Sequence, residues 1–189
     1  MKVELLSLDG AVVLTPARYG DARGFFSETW NRRRFAEAGL DNAFVQDNES
    51  LSATKGTVRG LHYQAPPSAQ AKLVRVVAGR IRDVIVDVRQ GSPTFGRWDA
   101  IELSAEAGNQ LFVPRGFLHG FATLEADTLV QYKVDAPYDA ETDGAVAWDD
   151  PDLAIDWGIA PGTATVSAKD AAAPAFSQWT SPFTLETRT

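Results

Sequence analysis

Two histidines, His62 and His119, are the residues of this chain best suited to acid–base chemistry near neutral pH. A histidine side chain has an unperturbed pKa of about 6.5, so it can take up and release a proton under physiological conditions. His62 lies in the segment VRGLHYQ (58–64), and His119 lies in VPRGFLHGF (113–121). A histidine among apolar neighbours is often a hydrogen-bonded core residue, so a purely structural role is the alternative for each.

The spacing around the histidines disfavours a metal site. Metal-binding β-barrels of the cupin class usually combine a His-x-His pair with a nearby Glu and a later His. Here the pair is replaced by His62-Tyr63-Gln64, which offers one imidazole and one amide, a poor ligand for a divalent transition metal. The chain contains no cysteine, which excludes disulfides, thiolate metal sites and a cysteine nucleophile. We therefore expect no metal, which leaves His62 free to act as a base.

Several other polar side chains interrupt apolar strand faces. Lys72 shares a face with two valines in KLVRVV, where its ammonium group either reaches water or stabilises enolate or phosphate charge. Tyr132 shares a face with two valines in LVQYKV, and a buried phenol can act as a general acid. Asp83 and Asp87 share one face of IRDVIVDV, which is either solvated or part of a polar barrel interior.

Composition and charge exclude several classes of protein. The 189 residues are 44% hydrophobic and 23% charged, values typical of an ordinary globular protein with a real core. The formal net charge of −7 argues against a nucleic-acid surface or an anionic membrane surface. The first residues do not read as a signal peptide, and no segment approaches the roughly 20 apolar residues of a membrane span. We expect a cytoplasmic protein.

The spacing of turn residues predicts a mainly β protein. Strands rich in Val, Ile, Phe, Tyr and Trp alternate with Gly, Pro, Asp and Asn, without helices between them, which indicates an antiparallel sandwich or barrel. Asn31 is expected to cap one short helix that stops at Gly39. The predicted strands lie within Val3–Leu14 and Phe25–Trp30 and over 43–48, 57–64, 72–78, 80–88, 97–103, 110–113, 117–124 and 128–135.

The last 50 or so residues have a different composition and are predicted to form an arm packed against the barrel. Ser167 is expected to cap a short helix over Lys169–Ala173. Trp148, Trp157, Phe176 and Trp179 are the expected anchors of the arm. We expect one domain, with N-terminal strands and dimer contacts over about 1–48, a barrel core over about 49–135 and the arm over about 136–189.

Eight segments of the sequence, given below, resemble a known family, the dTDP-4-dehydrorhamnose 3,5-epimerases. The matching segments contain both histidines and run in the order of the family, and several together are far more specific than one short motif. They are DARGFFSE (21–28), QDN (46–48), VRGLHYQ (58–64), KLVRV (72–76), GSPTFGRW (91–98), VPRGFLHGF (113–121), WDDP (148–151) and SAKDA (167–171).

The resemblance implies a cupin-like, jelly-roll β-barrel, a homodimer, no required cofactor and a dTDP-sugar as substrate. The reaction of the family inverts C3 and C5 of dTDP-4-dehydro-6-deoxy-glucose to give dTDP-4-dehydrorhamnose. By resemblance His62 is the base, Asp170 orients it, Lys72 stabilises the enolate oxygen and Tyr132 returns a proton from the opposite face. His119 is the expected contact to the sugar or diphosphate.

The resemblance also assigns nucleotide contacts. Phe26 and Tyr138 are expected to stack on the thymine, and Arg23, Phe26 and Glu28 are expected to come from the partner subunit. At position 143 the family usually carries Glu and this chain carries Asp, which keeps the carboxylate on a shorter side chain. The substrate-binding residues assigned in this way are Arg23, Phe26, Glu28, Gln46, Asn48, Arg59, His119, Tyr138, Asp143 and Lys169.

One difficulty and three alternatives remain at the level of sequence. Strict strand alternation puts Arg59 and His62 on opposite faces, unless a bulge at Gly60 resets the register or Arg59 reaches in from a strand end. The alternative functions are an epimerase that inverts only C3 or only C5, a metal-dependent cupin, and a non-catalytic module that binds sugar nucleotides.

Overall fold

Two large antiparallel sheets dominate the computed structural model, which describes residues 1–185. The strands are β1 Lys2–Leu5, β2 Val12–Thr15, β3 Tyr19–Asp21, β4 Gly24–Phe26, β5 Gln46–Ser52, β6 Val58–Gln64, β7 Lys72–Ala78, β8 Arg80–Asp87, β9 Arg89–Gln90, β10 Trp98–Ser104, β11 Gln110–Val113, β12 Phe117–Thr123, β13 Thr128–Val134, β14 Asp143–Ala145 and β15 Phe183–Thr184. The first large sheet has the strand order β1-β2-β11-β7-β13-β5, and the second has the order β10-β8-β12-β6-β14.

The two sheets pack face to face around one apolar core. Alternate residues of facing strands supply it, because successive side chains of a strand point to opposite faces. The first sheet contributes Val74 of β7 and Val130 of β13, and the second contributes Ile85 of β8 and Phe117 of β12, all buried. This arrangement confirms the predicted antiparallel β-barrel.

The outer face of the second sheet is covered by the C-terminal arm. Leu61 of β6 and Leu118 of β12 pack there against Trp157, and Trp148 and Trp179 are partly buried in the same cluster. The Phe176–Gln178 turn of 3₁₀-helix adds Phe176. All four predicted anchors of the arm therefore lie in one apolar cluster.

Both predicted helices are present with the predicted caps. Helix α1 spans Arg32–Glu37, and the Asn31 side chain accepts a hydrogen bond from the amide of Arg34. Helix α2 spans Ala168–Ala171, and the Ser167 hydroxyl accepts one from the amide of Asp170 at 3.1 Å. Within residues 1–185 every helix is too short or too polar to cross a lipid bilayer. The cytoplasmic location stays a prediction.

The structure corrects several predicted strand boundaries. The segment Val3–Leu14 is two strands, because a turn with φ +89° at Gly10 separates β1 from β2. The strand predicted over 43–48 is β5, Gln46–Ser52, whose polar sequence gave no apolar signal. The strand predicted over Phe25–Trp30 contains only β4. The short strands β3, β9, β14 and β15 were not predicted, since two or three residues are too few for a period.

Strands β3 and β4 form a hairpin that pairs with no other strand in the described chain. The hairpin exposes three aromatic side chains, with exposed fractions of 63% for Tyr19, 61% for Phe25 and 69% for Phe26. Large apolar side chains clustered in this way on a surface mark a contact region.

Candidate active site

One end of the barrel interior is polar, and it contains a cavity of about 400 Å³. We call it the barrel cavity. The residues expected to do chemistry line it from both sheets: His62 and His119 come from the second sheet, and Lys72 and Tyr132 come from the first. Asp170 of α2 completes the group. The structure therefore brings together all four residues expected to be catalytic.

His62 and Asp170 form a buried hydrogen-bonded pair. The Nε2 atom of His62 lies 2.6 Å from Oδ1 of Asp170, whose side chain is only 4% exposed. A carboxylate only accepts hydrogen bonds, so Nε2 carries the proton and Nδ1 keeps the lone pair of the base. Burial lowers the pKa of His62, Asp170 opposes this by hydrogen bonding and charge, and Lys72 and Lys169 add to the lowering. The balance keeps His62 neutral and basic at neutral pH.

The position of Asp170 depends on how the arm returns to the barrel. Thr165 forms a parallel bridge with Thr57, and the amide of Val58 donates to the Thr165 carbonyl at 2.9 Å. Two residues later Ser167 caps α2 and turns Asp170 inward. The arm is thus tied to the start of β6, the strand that carries His62.

A bulge at Gly60 solves the register problem of β6. His62 lies opposite His119 on β12, while Arg59 lies opposite Phe121, so two residues of β6, Gly60 and Leu61, lie opposite the single residue Gly120 of β12. Gly60 has φ +135°, and an added Cβ would lie 2.6 Å from Cα of Gly120, so glycine is required there. Arg59 and His62 consequently line the same cavity. The predicted bulge is confirmed.

Lys72 lies on the opposite wall at the start of β7. Burial lowers the pKa of its ammonium group to about 8, although the negative charges of Asp83 and Asp143 oppose the effect. An ammonium group that is held in a partly dry cavity acts strongly on nearby negative charge. Lys72 is therefore placed to stabilise an oxyanion.

Tyr132 lies beside Lys72 on the same sheet, paired with Val74 of β7 and with Asn48 of β5. Burial raises the pKa of its phenol, Arg59 lowers it, and Asp143 adds to the rise. The phenol therefore keeps its proton at neutral pH. Since His62 and Tyr132 belong to different sheets, an imidazole and a protonated phenol face each other across the barrel cavity.

A second cavity of about 310 Å³ adjoins the first and shares His62, Lys72 and Tyr132 with it. Four residues expected to bind the nucleotide line it, namely Gln46, Asn48, Tyr138 and Asp143. Lys169, expected to contact the substrate, lines both cavities.

Hydrogen bonds join these side chains into one network. Gln46 accepts from the amide of Tyr138 at 2.9 Å and donates to the side chain of Asn48 at 2.8 Å. Asp143 accepts from the Tyr138 hydroxyl at 3.3 Å and from the ammonium group of Lys169. The shorter side chain at position 143 therefore still reaches these two partners. The hydrogen bond to Asp143 raises the pKa of Lys169.

The chain matches one family over most of its length. The sequence model described as dTDP-4-dehydrorhamnose 3,5-epimerase matches residues 5–178. The chain belongs to the dTDP-4-dehydrorhamnose 3,5-epimerase family. A family member from Sinorhizobium fredii is 50% identical over 178 residues, which cover 94% of this chain and 91% of the relative. One from Pseudomonas aeruginosa is 44% identical, with 94% and 97% covered.

Solved structures of the epimerase family share the fold. The enzyme from Bacillus anthracis, with TDP and pyrophosphate bound, has a TM-score of 0.90 and 47% identity over 93% of this chain and 99% of its own. The Legionella pneumophila enzyme, in complex with dTDP-4-keto-L-rhamnose, has a TM-score of 0.89 and 43% identity, with 93% of both chains covered.

Three residues expected to bind the nucleotide lie outside both cavities of this single chain. Arg23 is on the β3–β4 hairpin and pairs with Asp21 at 2.5 Å. Phe26 is exposed on the same hairpin, and Glu28 pairs with Arg34 at 3.3 Å. Their expected role in the site of a partner subunit stays a prediction.

The structure adds residues that the sequence did not single out. Ser50, Phe121 and Thr165 line the barrel cavity. Alternation from Asn48 would have found Ser50 if the predicted strand had continued past residue 48. Within residues 1–185 no group of three His, Cys, Asp or Glu side chains is arranged to hold a metal ion.

Proposed function

We propose that this protein inverts C3 and C5 of dTDP-4-dehydro-6-deoxy-glucose, giving dTDP-4-dehydrorhamnose. The observation that carries the proposal is the placement of His62 and Tyr132 on opposite walls of one cavity, with Lys72 beside Tyr132. Inversion at carbon requires a proton to leave from one face and return from the other. A pair consisting of a base and an acid across a cavity provides both steps.

The chemistry follows from the ketone at C4 of the sugar. The carbonyl group acidifies the protons on C3 and C5, so Nδ1 of His62 can remove one of them and leave an enolate. Lys72 stabilises the negative charge on the enolate oxygen, and Asp170 stabilises the imidazolium that forms. The Tyr132 phenol then donates its proton to the carbon from the other face. Exchange with solvent returns His62 and Tyr132 to their starting states.

The nucleotide is proposed to occupy the adjoining cavity. Arg59 and Lys169 concentrate positive charge near the barrel cavity in a chain whose net charge is −7, as a diphosphate requires. Tyr138 is 60% exposed at the rim, where a ring can stack on the thymine base. The relatives that were solved with TDP or with a dTDP-sugar support a thymidine nucleotide as the ligand.

We further propose a homodimer in which the β3–β4 hairpin of one copy completes the site of the other. The hairpin pairs with no other strand of the described chain and exposes Phe25 and Phe26. Arg23 is 89% exposed and would add a cation to the nucleotide site of the partner.

The alternative is an epimerase that inverts only one carbon. A 3′-monoepimerase from Streptomyces bikiniensis, solved with dTDP-quinovose, has a TM-score of 0.84 and 34% identity over 92% of this chain. Incubation of the keto-sugar nucleotide with the protein in D₂O distinguishes the two functions. We expect deuterium at both C3 and C5 of the product. Deuterium at only one carbon would contradict the double inversion, and no deuterium with intact dTDP binding would indicate a binding module.

A further inference from the structure

Asp83 is a fully buried carboxylate at the boundary between the apolar core and the barrel cavity. Its Oδ1 atom accepts a hydrogen bond from Nε2 of His119 at 2.7 Å, while its Oδ2 atom has no partner within residues 1–185. The neighbours of Asp83 on the same face of β8 are Ile81 and Ile85, which belong to the apolar core. A carboxylate in such a place is costly unless a positive charge lies nearby.

Lys72 lines the barrel cavity on the wall opposite His119, the residue that holds Asp83. Lys72 forms no ion pair within residues 1–185, and the largest influence that opposes its desolvation is the charge of Asp83, followed by that of Asp143. His119 holds Asp83 from the other side through an imidazole that is itself only 8% exposed. The carboxylate is therefore fixed in place and shielded from water, so its field is weakly screened.

We propose that Asp83 is a positioning residue of the epimerase reaction, whose buried charge keeps the ammonium group of Lys72 protonated in the barrel cavity. This inference rests on the proposed function of Lys72 as the group that stabilises the enolate. A neutral amine would leave the enolate oxygen without its positive charge, and burial of Lys72 favours the neutral amine. Asp83 opposes that tendency without touching the substrate.

Other charged or titratable groups also face Lys72, and any of them could mask the effect. Asp143 supports the ammonium group from β14 and is itself held by Lys169. Together with Asp83, the charged or titratable residues that line the two cavities around Lys72 are Arg59, His62, Tyr63, His119, Tyr132, Tyr138, Asp143, Lys169 and Asp170. A test must therefore measure the protonation of the Lys72 side chain itself.

The chain has five lysines, so lysine labelled with ¹³C at the ε position gives a spectrum simple enough to follow Lys72 by NMR. Lys72→Arg identifies its signal. In Asp83→Asn, which keeps the shape and removes the charge, we expect the titration midpoint of Lys72 to fall by about one pH unit or more. The alkaline limb of kcat/KM should fall with it, so activity above the new midpoint drops about tenfold, while the Kd for dTDP changes less than about twofold.

Asp87→Asn is the matched control, because Asp87 lies on the same face of the same strand and is equally buried, yet it pairs with Arg89. It should leave the Lys72 midpoint unchanged. An unchanged midpoint in Asp83→Asn would overturn the inference. Because the NMR titration needs no turnover, that result is separate from a failure of the proposed reaction.

Folding must be controlled as well, since Asp83 is buried. If Asp83→Asn is insoluble, Asp83→Ser leaves room for a water molecule and serves as the second variant. His119→Gln, which changes the hydrogen-bond partner of Asp83, serves as the comparison. If both Asp83 variants are unfolded while His119→Gln is folded, Asp83 acts in barrel stability alone, which would also overturn the inference.

Discussion

The Nε2 atom of His62 and the Oδ1 atom of Asp170 lie 2.6 Å apart, although 108 residues separate them in the sequence. His62 lies on a strand of the barrel, and Asp170 lies on a short helix of the C-terminal arm. The arm thus does more than cover the outer face of the second sheet, because it brings the carboxylate that fixes the tautomer of the base.

Asp170→Asn tests this pair. An amide can donate to the imidazole and favour the wrong tautomer, so we expect kcat to fall by about 10³-fold. Asp170 raises the pKa of His62, so its loss should shift the acidic limb of kcat/KM to lower pH. The measurement is the pH profile of turnover. An acidic limb at the position of the wild type would show that Asp170 does not act on His62.

His62→Ala removes the proposed base and keeps the four residues of the adjoining cavity that are expected to bind the nucleotide, Gln46, Asn48, Tyr138 and Asp143. We expect turnover and deuterium exchange to fall below detection, while the Kd for dTDP measured by calorimetry changes less than about threefold. Thr57→Ala changes a neighbouring residue of the same cavity and serves as the control for nonspecific damage. Residual exchange at near wild-type rate would assign the base to another residue.

The local sequence predicted most of the barrel but not the geometry that depends on the returning chain. The apolar period of KLVRVV predicted β7 to the residue and placed Lys72 on the face of Val74 and Val76, which the structure turns toward the core. The strand predicted over 43–48 is shifted relative to β5, Gln46–Ser52, because the polar alternation of β5 carries no apolar signal. The meeting of His62 with Asp170 was available only from the family resemblance, since no local rule joins residues so far apart. The sequence left open whether β6 has a bulge at Gly60 or whether Arg59 reaches in from a strand end. Only the packing of Gly60 against Gly120 decides between the two.

Tyr132→Phe removes the proposed acid and keeps the ring. His62 should still remove the proton, exchange it for a deuteron from D₂O and deliver that deuteron to the same face, so deuterium should enter the substrate without inversion. We expect product formation to fall by about 100-fold or more, with a smaller loss in exchange. Nuclear magnetic resonance of the sugar reads both rates from one sample. Product formation at the wild-type rate would exclude Tyr132 as the donor.

Asp87 is predicted to stabilise the fold and to play no part in the chemistry. Burial raises the pKa of Asp87, but hydrogen bonds from Arg89, Ser92 and Thr94 outweigh it and lower the pKa to about 2. Its charged form therefore stabilises the protein above the ordinary pKa of a carboxyl group, and this contribution is lost as the pH falls toward 2.

For Asp87→Asn we expect the free energy of unfolding at neutral pH to fall by about 2 kcal/mol, with kcat little changed in the folded protein. Urea unfolding at neutral pH and near pH 3 measures this. The difference between wild type and variant should shrink at the lower pH. A difference that is independent of pH would show that the carboxylate charge is not the cause.

Subunit mixing tests whether the β3–β4 hairpin completes the site of a partner. Arg23→Ala and His62→Ala should each be nearly inactive as homodimers. If Arg23 acts in the site of the partner, a mixed dimer has one intact site, built from the His62 of one chain and the Arg23 of the other. Random reassembly of equal amounts should therefore restore about a quarter of the wild-type activity.

As a control, His62→Ala mixed with Tyr132→Phe should restore nothing, because both residues lie in the same cavity of one chain. No recovery in the first mixture, with mixed dimers shown by mass spectrometry, would place Arg23 outside the site of the partner.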